Sequence, residues 1–217
     1  MSANERPLVA VIDYGIGNLR SAQKALERVG ADARLTADPG VIAAADAVVL
    51  PGVGAFGRCM EALRTSGLEA ATLDAVAGGR PFLGICVGMQ MLYERSDEDP
   101  GVPGLGVLPG SIRLLPATVK RPQMQWNTLT ILRPSPLLDP LGPPGSTHWV
   151  YFVHSYAAED TTDAVATCDY GGPVVAAVQR GSVAATQFHP EKSSRTGLTL
   201  LGGFVAQARG GRQRAAS

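Results

Sequence analysis

The stretch from Pro81 to Gln90, with the sequence PFLGICVGMQ, constrains the fold more than any other part of the chain. It begins as a short apolar run, typical of a buried strand, and continues as an amphipathic pattern, typical of a helix. Gly84 and Gly88 would let the strand and the helix cross closely, so that Cys86 between them occupies a sharp, strained turn. The pattern predicts a strand–turn–helix unit with an exposed thiol at the helix N-terminus.

Cys86 is the predicted nucleophile. A thiol at a helix N-terminus lies in partial positive charge, which favours the reactive thiolate. The alternative is a small apolar core residue, because cysteine is among the most buried residue types. Cys59 and Cys168 lack this context, and we expect both to be dispensable. Three cysteines without paired spacing predict a reducing, cytoplasmic location and no disulfide framework.

The first half of the chain alternates between short apolar runs and stretches of helical periodicity. The apolar runs are rich in β-branched residues, as buried parallel strands are. The predicted strands are Leu8–Ile12, Ala33–Thr36, Ala47–Leu50 and Phe82–Ile85, and the predicted helices are Leu19–Val29, Arg58–Leu63, Leu68–Ala77 and Cys86 to about Tyr93. This alternation predicts an α/β fold with a doubly wound, mostly parallel sheet flanked by helices.

The sequence changes after Ser96, where proline and glycine become frequent and the apolar runs become short. We therefore expect antiparallel strands in the second half, laid over one side of the domain. These predicted strands are Leu105–Leu108, Ile112–Leu115, Leu129–Leu132, Trp149–Val153, Ala164–Cys168, Val174–Gln179 and Ser182–Gln187. A helix over Thr196–Ala208 closes a single domain spanning 1–217, with a core of about 8–208 and a frayed tail at 209–217.

Two glycine-rich turns follow predicted strands. Asp13–Asn18 follows the first strand, and Pro51–Gly57 follows the third. Open α/β sheets bind ligands at the carboxyl ends of their strands, and backbone N–H groups in such a turn can hold an oxyanion. The first turn lacks the third glycine and the downstream acid of a dinucleotide site, so we expect no cofactor. No Cys/His cluster has zinc spacing, and we expect no metal.

A cysteine nucleophile needs a base and a group that orients the base. His189 follows a predicted strand, and Glu191 lies two residues later. In an extended segment these side chains project to the same side, so Glu191 can hold one ring nitrogen while the other faces the thiol. The alternative for this segment is a surface turn. His148 and His154 flank another strand and are expected to be structural.

Composition and charge exclude several classes of function. The chain of 217 residues is 45% hydrophobic and 18% charged, as globular proteins are. Its net charge is zero and it has no basic stripe, so nucleic-acid binding is not predicted. No apolar run approaches the ~20 residues of a membrane span, and the polar N-terminus does not resemble a signal peptide.

The motif around Cys86, together with FHPE at 188–191, resembles the class I (triad) glutamine amidotransferases. Further motifs, in the right order over roughly Leu8 to Val205, resemble the glutaminase subunits of imidazole glycerol phosphate synthase, an enzyme of histidine biosynthesis. These motifs are Asp13–Asn18, Pro51–Phe56, Tyr151–Tyr156 and Gln187–Ser193. The resemblance implies a heterodimer in which L-glutamine is hydrolysed to glutamate. Ammonia then passes to a (β/α)8-barrel cyclase that makes imidazole glycerol phosphate and aminoimidazole carboxamide ribotide.

The resemblance also implies roles for individual residues. Cys86 attacks the glutamine carboxamide, His189 transfers the proton and Glu191 orients His189. The oxyanion is held by the backbone N–H groups of Val53 and Val87. Positions that match the family's glutamine-binding residues are Gly52, Gln90, Ser155 and Tyr156. Positions that match its partner interface are Asn18, Trp126, Tyr151 and Lys192. For Trp126 the alternative is a core aromatic, and for Lys192 a solvated surface charge.

The chain departs from the family at Gln123 and Gln125, where histidine and glycine are usual. A glutamine adopts the special backbone angles of glycine only at a cost. Two other functions stay open at this point. One is the glutaminase of a different synthase, such as those making pyridoxal phosphate or anthranilate, although the motifs at Asp13–Asn18 and Tyr151–Tyr156 argue against it. The other is a silent subunit that only binds a partner, against which the intact Cys-His-Glu set argues.

Overall fold

In a computed structural model of the chain, residues 6–159 and 161–215 are described. The first half alternates strands and helices as the sequence predicts. Its elements are β1 (Leu8–Ile12), α1 (Leu19–Arg28), β2 (Asp32–Thr36), α2 (Pro39–Ala44), β3 (Ala47–Gly52), α3 (Phe56–Thr65), α4 (Glu69–Ala77), β4 (Phe82–Cys86) and α5 (Val87–Met91). Helix α2 was not predicted, although Asp38-Pro39 marks its start: the Asp38 carboxylate accepts from Gly40 N at 2.7 Å.

The second half is mostly strands. Its elements are β5 (Tyr93–Ser96), β6 (Leu108–Leu114), β7 (Gln123–Ile131), β8 (Thr147–His154), β9 (Tyr156–Ala158), β10 (Ala164–Asp169), β11 (Pro173–Arg180), β12 (Val183–Thr186) and α6 (Ser194–Ala215), with short 3-10 turns at Asp139–Leu141 and Pro190–Lys192. The predicted helix after Cys86 is shorter than expected. It ends at Met91 because Tyr93 opens β5, which pairs with Leu108 of β6.

A nine-stranded sheet runs through the molecule in the order β2-β1-β3-β4-β12-β11-β10-β7-β8. The pairs from β2 to β12 are parallel, and those from β12 to β8 are antiparallel. The predicted fold class is confirmed. The expectation that the later strands lie over one side of the domain was wrong, because β12 pairs with β4, Val183 opposite Phe82, and so the later strands extend the same sheet. A separate small sheet contains β5, β6 and β9.

The core explains why the central strands carry almost no polar residues. All six residues of β3 and all five of β4 are buried, since helices cover both faces of the sheet. Further along the sheet, Phe152 of β8 packs edge-on against Phe188 with ring centroids 5.9 Å apart. This contact fixes the segment that precedes His189 against β8. The parallel strands and the antiparallel strands thus share one core next to the cysteine turn.

Helix α6 is longer than predicted. It continues beyond Ala208 to Ala215, and Arg209 donates to the Gly30 carbonyl oxygen at 3.0 Å, which ties this part of the helix to the end of α1. The last two residues of the predicted frayed tail, 216 and 217, lie outside the described residues. Neither α6 nor any other helix in the described ranges is long and apolar enough to cross a membrane.

Candidate active site

The turn at Cys86 has the strained backbone that the sequence predicts. Cys86 ends β4 and precedes α5 with φ 55° and ψ −112°, a region that side-chain-bearing residues rarely adopt. A Cβ on Gly88 would overlap the Leu50 carbonyl oxygen, and a Cβ on Gly84 would lie 2.9 Å from the Gly88 carbonyl oxygen. The close crossing of strand and helix therefore requires both glycines. The predicted exposure was wrong: Cys86 is 3% exposed and lies in the wall of a cavity.

His189 and Glu191 form a buried hydrogen-bonded pair. His189 Nδ1 lies 2.8 Å from Glu191 Oε1, and both side chains are almost fully buried. His189 Nε2 has no hydrogen-bond partner among the described residues, so this nitrogen is available to the thiol beside it. Burial acts to lower the pKa of His189, but the charges of Cys86 and Glu191 and the hydrogen bond to Glu191 outweigh it and raise the pKa. The site therefore favours a protonated ring between the sulfur and the carboxylate.

Glu191 is held as a carboxylate. Burial acts to raise its pKa, but the hydrogen bond and the charge of His189 outweigh that effect, and the pKa is lowered. Asn18, at the start of α1, also donates from Nδ2 to Glu191 Oε1 at 3.0 Å. One carboxylate oxygen thus joins the turn after β1 to His189. This places Asn18, which the sequence assigned to the partner interface, against the predicted triad acid.

The backbone of His189 is fixed by β8 and by Ser193. The His189 N–H donates to the Tyr151 carbonyl oxygen at 3.0 Å. Ser193 Oγ donates to the His189 carbonyl oxygen at 2.6 Å and accepts from the Tyr151 N–H at 3.0 Å. Ser193 is fully buried, and sequence reasoning did not single it out. Its role comes from tertiary contacts that no local pattern signals.

Two buried glutamines form the wall behind the thiol. Gln90 of α5 donates from Nε2 to the Tyr156 carbonyl oxygen and to Gln187 Oε1, both at 3.0 Å. Gln187 in turn donates from Nε2 to Cys86 Sγ at 3.8 Å. Gln187 was missed as a candidate site residue. The signal was present, since Gln187 lies only two residues before His189, directly after β12.

Cys86 and His189 line a cavity of about 520 Å³. The predicted site residues that line it are Asn18, Val53, Cys86, Val87, Gln90, Ser155, Tyr156, His189 and Lys192. Gly52, the remaining predicted substrate residue, does not line the cavity; a Cβ there would come within 2.6 Å of Gly88 N. Trp126 and Tyr151 lie outside the cavity, on the face of β7 and β8. Glu98 also lines the cavity and was not predicted; its Oε2 accepts from the Phe56 N–H at 2.8 Å, at the start of α3.

His154, at the end of β8, has a hydrogen-bond partner on each ring nitrogen. Its Nδ1 lies 2.8 Å from the Tyr156 carbonyl oxygen, which only accepts, so Nδ1 carries the proton. Burial lowers the pKa of His154 to about 4, so the ring is neutral and Nε2 is an acceptor. The Gln123 amide lies 2.9 Å from Nε2 and 3.9 Å from Cys168 Sγ. The structure places the amide oxygen toward His154 and the NH₂ toward Cys168. Because a neutral His154 with its proton on Nδ1 offers Nε2 only as an acceptor, we assign the amide turned over, with its NH₂ toward His154.

The departures at Gln123 and Gln125 cause no backbone strain. Both residues lie in β7, with Gln123 opposite His154 and Gln125 opposite Phe152. Neither has a positive φ, so an extended strand replaces the special loop that a glycine would permit. His148, the remaining histidine, does not line the cavity. No group of His, Cys, Asp and Glu in the described ranges could hold a metal ion.

A family model for class-I glutamine amidotransferases matches residues 10–207 of the chain. The chain belongs to this family. Among curated relatives, the imidazole glycerol phosphate synthase subunit HisH of Methanothermobacter thermautotrophicus is 48% identical over 199 residues, covering 91% of this chain and 98% of that protein. HisH of Syntrophotalea carbinolica is 48% identical over 206 residues, again covering 91% of this chain and 98% of that protein. The resemblance drawn from the sequence motifs is confirmed.

Solved structures give the same fold for this amidotransferase. A putative GMP synthase component from Thermoplasma acidophilum superimposes with a TM-score of 0.72. The match covers 98% of this chain and 99% of the other, at 18% identity. An identity this low shows the fold alone. The enzyme class therefore rests on the family model and on the HisH relatives, and the predicted amidotransferase class is confirmed.

Proposed function

We propose that this amidotransferase is the glutaminase subunit of an imidazole glycerol phosphate synthase. It hydrolyses L-glutamine to glutamate and delivers ammonia to a cyclase partner in histidine biosynthesis. The observation that carries this proposal is the array of Cys86, His189 and Glu191 beside one cavity, in a chain 48% identical to HisH subunits. Three free thiols support a cytoplasmic location for the enzyme.

Cys86 is the nucleophile of the proposed reaction. The thiol proton first passes to His189 Nε2, the nitrogen without another partner, and the resulting thiolate attacks the carboxamide carbon of glutamine. The tetrahedral intermediate then breaks its C–N bond, and the imidazolium gives its proton to the departing ammonia. Water attacks the resulting glutamyl thioester, which releases glutamate and the free thiol. Glu191 keeps the proton on Nδ1 and stabilises the imidazolium.

The oxyanion of the intermediate is held by two backbone N–H groups. Val87 is the first residue of α5, so its N–H has no partner within the helix. Val53 follows β3, directly beside Cys86 in the cavity wall. One such donor typically contributes about 2.7–4 kcal/mol of transition-state stabilisation. Both N–H groups come from backbone next to the crossing of β3, β4 and α5, which is why small residues are needed there.

The cavity offers partners for the charged end of glutamine as well. Gln90, Ser155 and Tyr156 line the wall on the predicted substrate side, and Gly52 lets β3 pack closely against the start of α5. Glu98 is a carboxylate at the cavity, and we assign it to the α-ammonium group of the substrate. Its bond to the Phe56 N–H fixes it in place before substrate arrives. A prepositioned carboxylate of this kind favours an amino acid over a simple amide.

The partner docks on an apolar sheet face formed by Met124, Trp126, Trp149 and Tyr151. Trp126 is opposite Tyr151 in the β7–β8 pair, so the two side chains lie on the same face, with ring centroids 6.2 Å apart. Met124 is 64% exposed and Trp149 is 60% exposed, which is unusual for large apolar side chains in a monomer. The same strands lead to the cavity through Val153. A cyclase barrel on this face would cover the cavity mouth and receive ammonia.

Asn18 and Lys192 are proposed to couple the partner to the site. Asn18 binds the Glu191 carboxylate, and Lys192 is exposed at the cavity next to Glu191 in sequence. Lys192 can pair with a carboxylate of the barrel. In the free subunit the Val53 N–H points away from the substrate, and docking of the liganded partner turns it inward. The glycines on both sides of Val53 allow this turn at little steric cost.

The test is glutamate release from glutamine by the free chain, by its complex with the cyclase, and by that complex with the cyclase ligand bound. We expect the rate to rise at each step. Release at one rate in all three states would refute the coupling, and no release in any state would refute the function. A glutaminase of another synthase would be stimulated by that synthase's partner and not by the cyclase. A silent subunit would bind the cyclase without releasing glutamate.

A further inference from the structure

Two buried side chains from different elements hold the end of β3 and the loop that follows it. Tyr14, in the turn after β1, donates from Oη to the Pro51 carbonyl oxygen at 2.7 Å. Cys59, in α3, donates from Sγ to the Val53 carbonyl oxygen at 3.3 Å. Burial raises the pKa of the Tyr14 hydroxyl and of the Cys59 thiol, so both groups stay protonated at neutral pH and remain donors.

These two bonds fall on alternate peptide groups of the loop. The Pro51 carbonyl belongs to the peptide that joins Pro51 to Gly52, and the Val53 carbonyl belongs to the peptide that joins Val53 to Gly54. The peptide between them joins Gly52 to Val53 and carries the Val53 N–H. No side chain in the described part of the molecule hydrogen-bonds to that middle peptide. The side chains therefore hold both neighbouring peptides, and the middle peptide has no side-chain hydrogen bond of its own.

We propose that Tyr14 and Cys59 form a clamp that confines movement of the oxyanion loop to the Gly52–Val53 peptide. The proposal rests on the proposed function, in which the Val53 N–H stabilises the oxyanion. Neither residue lines the cavity, so both are positioning residues that act through the backbone. With its two neighbours held, the middle peptide can turn its N–H toward or away from the cavity while the rest of the segment stays in place. The expectation that Cys59 is dispensable is thereby reversed.

The clamp predicts a selective loss of amide hydrolysis. In the complex with the cyclase, Tyr14→Phe and Cys59→Ala should each lower kcat for glutamine about five- to tenfold, the effect of one neutral hydrogen bond, with KM changed less than about twofold. Alkylation of Cys86 by iodoacetamide proceeds by attack of sulfur on an sp³ carbon with loss of iodide, and it forms no oxyanion. Its rate at Cys86, measured by peptide mass spectrometry, should stay within about twofold of wild type.

Matched variants separate the clamp from general packing. Tyr93 is another buried tyrosine, and its hydroxyl has no hydrogen-bond partner among the described residues. Tyr93→Phe should therefore leave kcat unchanged. Cys59→Ser keeps a donor at the same position and should recover most of the kcat that Cys59→Ala loses. The clamp would be overturned if Tyr93→Phe lowered kcat as much as Tyr14→Phe does. It would also be overturned if kcat of Cys59→Ser were as low as that of Cys59→Ala.

A readout that does not depend on activity keeps this inference separate from the proposed function. In the Tyr14→Phe/Cys59→Ala double variant, amide hydrogen exchange in a peptide covering residues 51–55 should accelerate about tenfold or more relative to wild type. Exchange in the Tyr93→Phe variant should match wild type. Unchanged exchange in the double variant refutes the clamp even if the enzyme hydrolyses glutamine. Accelerated exchange supports it even if another substrate replaces glutamine.

Discussion

Glu191 makes two hydrogen bonds through one oxygen, and this arrangement decides what a conservative substitution does. In Glu191→Gln, the Asn18 amide still needs an acceptor, so the new amide oxygen stays toward Asn18 and His189. That orientation keeps the His189 proton on Nδ1, the tautomer that leaves Nε2 free for the thiol. The variant loses the negative charge but keeps the geometry.

We therefore expect Glu191→Gln to reduce glutamine hydrolysis much less than His189→Ala does. The remaining rate of Glu191→Gln should be about 10²-fold higher than that of His189→Ala. Steady-state glutamate release in the complex measures both. Asn18→Ala combined with Glu191→Gln should lose more than Glu191→Gln alone, because the amide can then turn its NH₂ toward His189. Equal losses for Glu191→Gln and His189→Ala would mean that Glu191 does more than orient the ring.

At the scale of elements, the crossing of β3 over the start of α5 limits which residues the site tolerates. A Cβ on Gly52 would lie 2.6 Å from Gly88 N and 3.0 Å from the Val87 carbonyl carbon. Since these are backbone atoms, Gly52→Ala must separate strand from helix and move the Val87 N–H. We expect kcat to fall about 10²-fold or more, the typical effect of losing one oxyanion donor. Gly101→Ala, in open space, should leave kcat unchanged; equal effects would contradict this account.

The end of β8 should make stability depend on pH through His154. Burial, aided by the charge of His189, lowers its pKa to about 4. Between that value and the ~6.5 of an exposed histidine, only the unfolded chain binds the proton, so the free energy of unfolding falls as pH falls. His154 should contribute about 2 kcal/mol less at pH 4.5 than at pH 7. Urea unfolding at both pH values measures this. Between pH 7 and pH 4.5 the wild type should lose about 2 kcal/mol more of its free energy of unfolding than His154→Gln does, and equal losses would contradict the role of His154.

The sequence predicted elements best where burial leaves a local pattern. Strands β1, β3 and β4 are apolar along their length because both faces are covered, and the turn at Cys86 is marked by Gly84 and Gly88. The direction of β12 could not be predicted, because its parallel pairing with β4 joins residues 101 positions apart, such as Phe82 and Val183. Glu98 and Ser193 were missed for a similar reason. Their contacts, to Phe56 and to Tyr151, exist only in the folded chain.

At the scale of the whole molecule, the apolar sheet face should carry much of the partner affinity. Large aromatic side chains that become buried in an interface commonly contribute about 2 kcal/mol or more, so Trp126→Ala and Trp149→Ala should each weaken binding of the cyclase about 30-fold or more. Calorimetric titration measures the affinity. Leu73→Ala, which alters an exposed apolar residue of α4, is the control and should bind as wild type does. Unchanged affinity in both tryptophan variants would place the interface elsewhere.

The most direct test of the account is the nitrogen source that the assembled synthase can use when Cys86 is replaced by alanine. Product formation by the cyclase is measured with glutamine and, separately, with added ammonium salt. We predict that Cys86→Ala reduces glutamine-dependent synthesis at least about 10³-fold, since the nucleophile is gone. Ammonia-dependent synthesis should stay at the wild-type rate, because the cyclase is intact and docked. Glutamine-dependent synthesis at a rate near wild type would contradict the account.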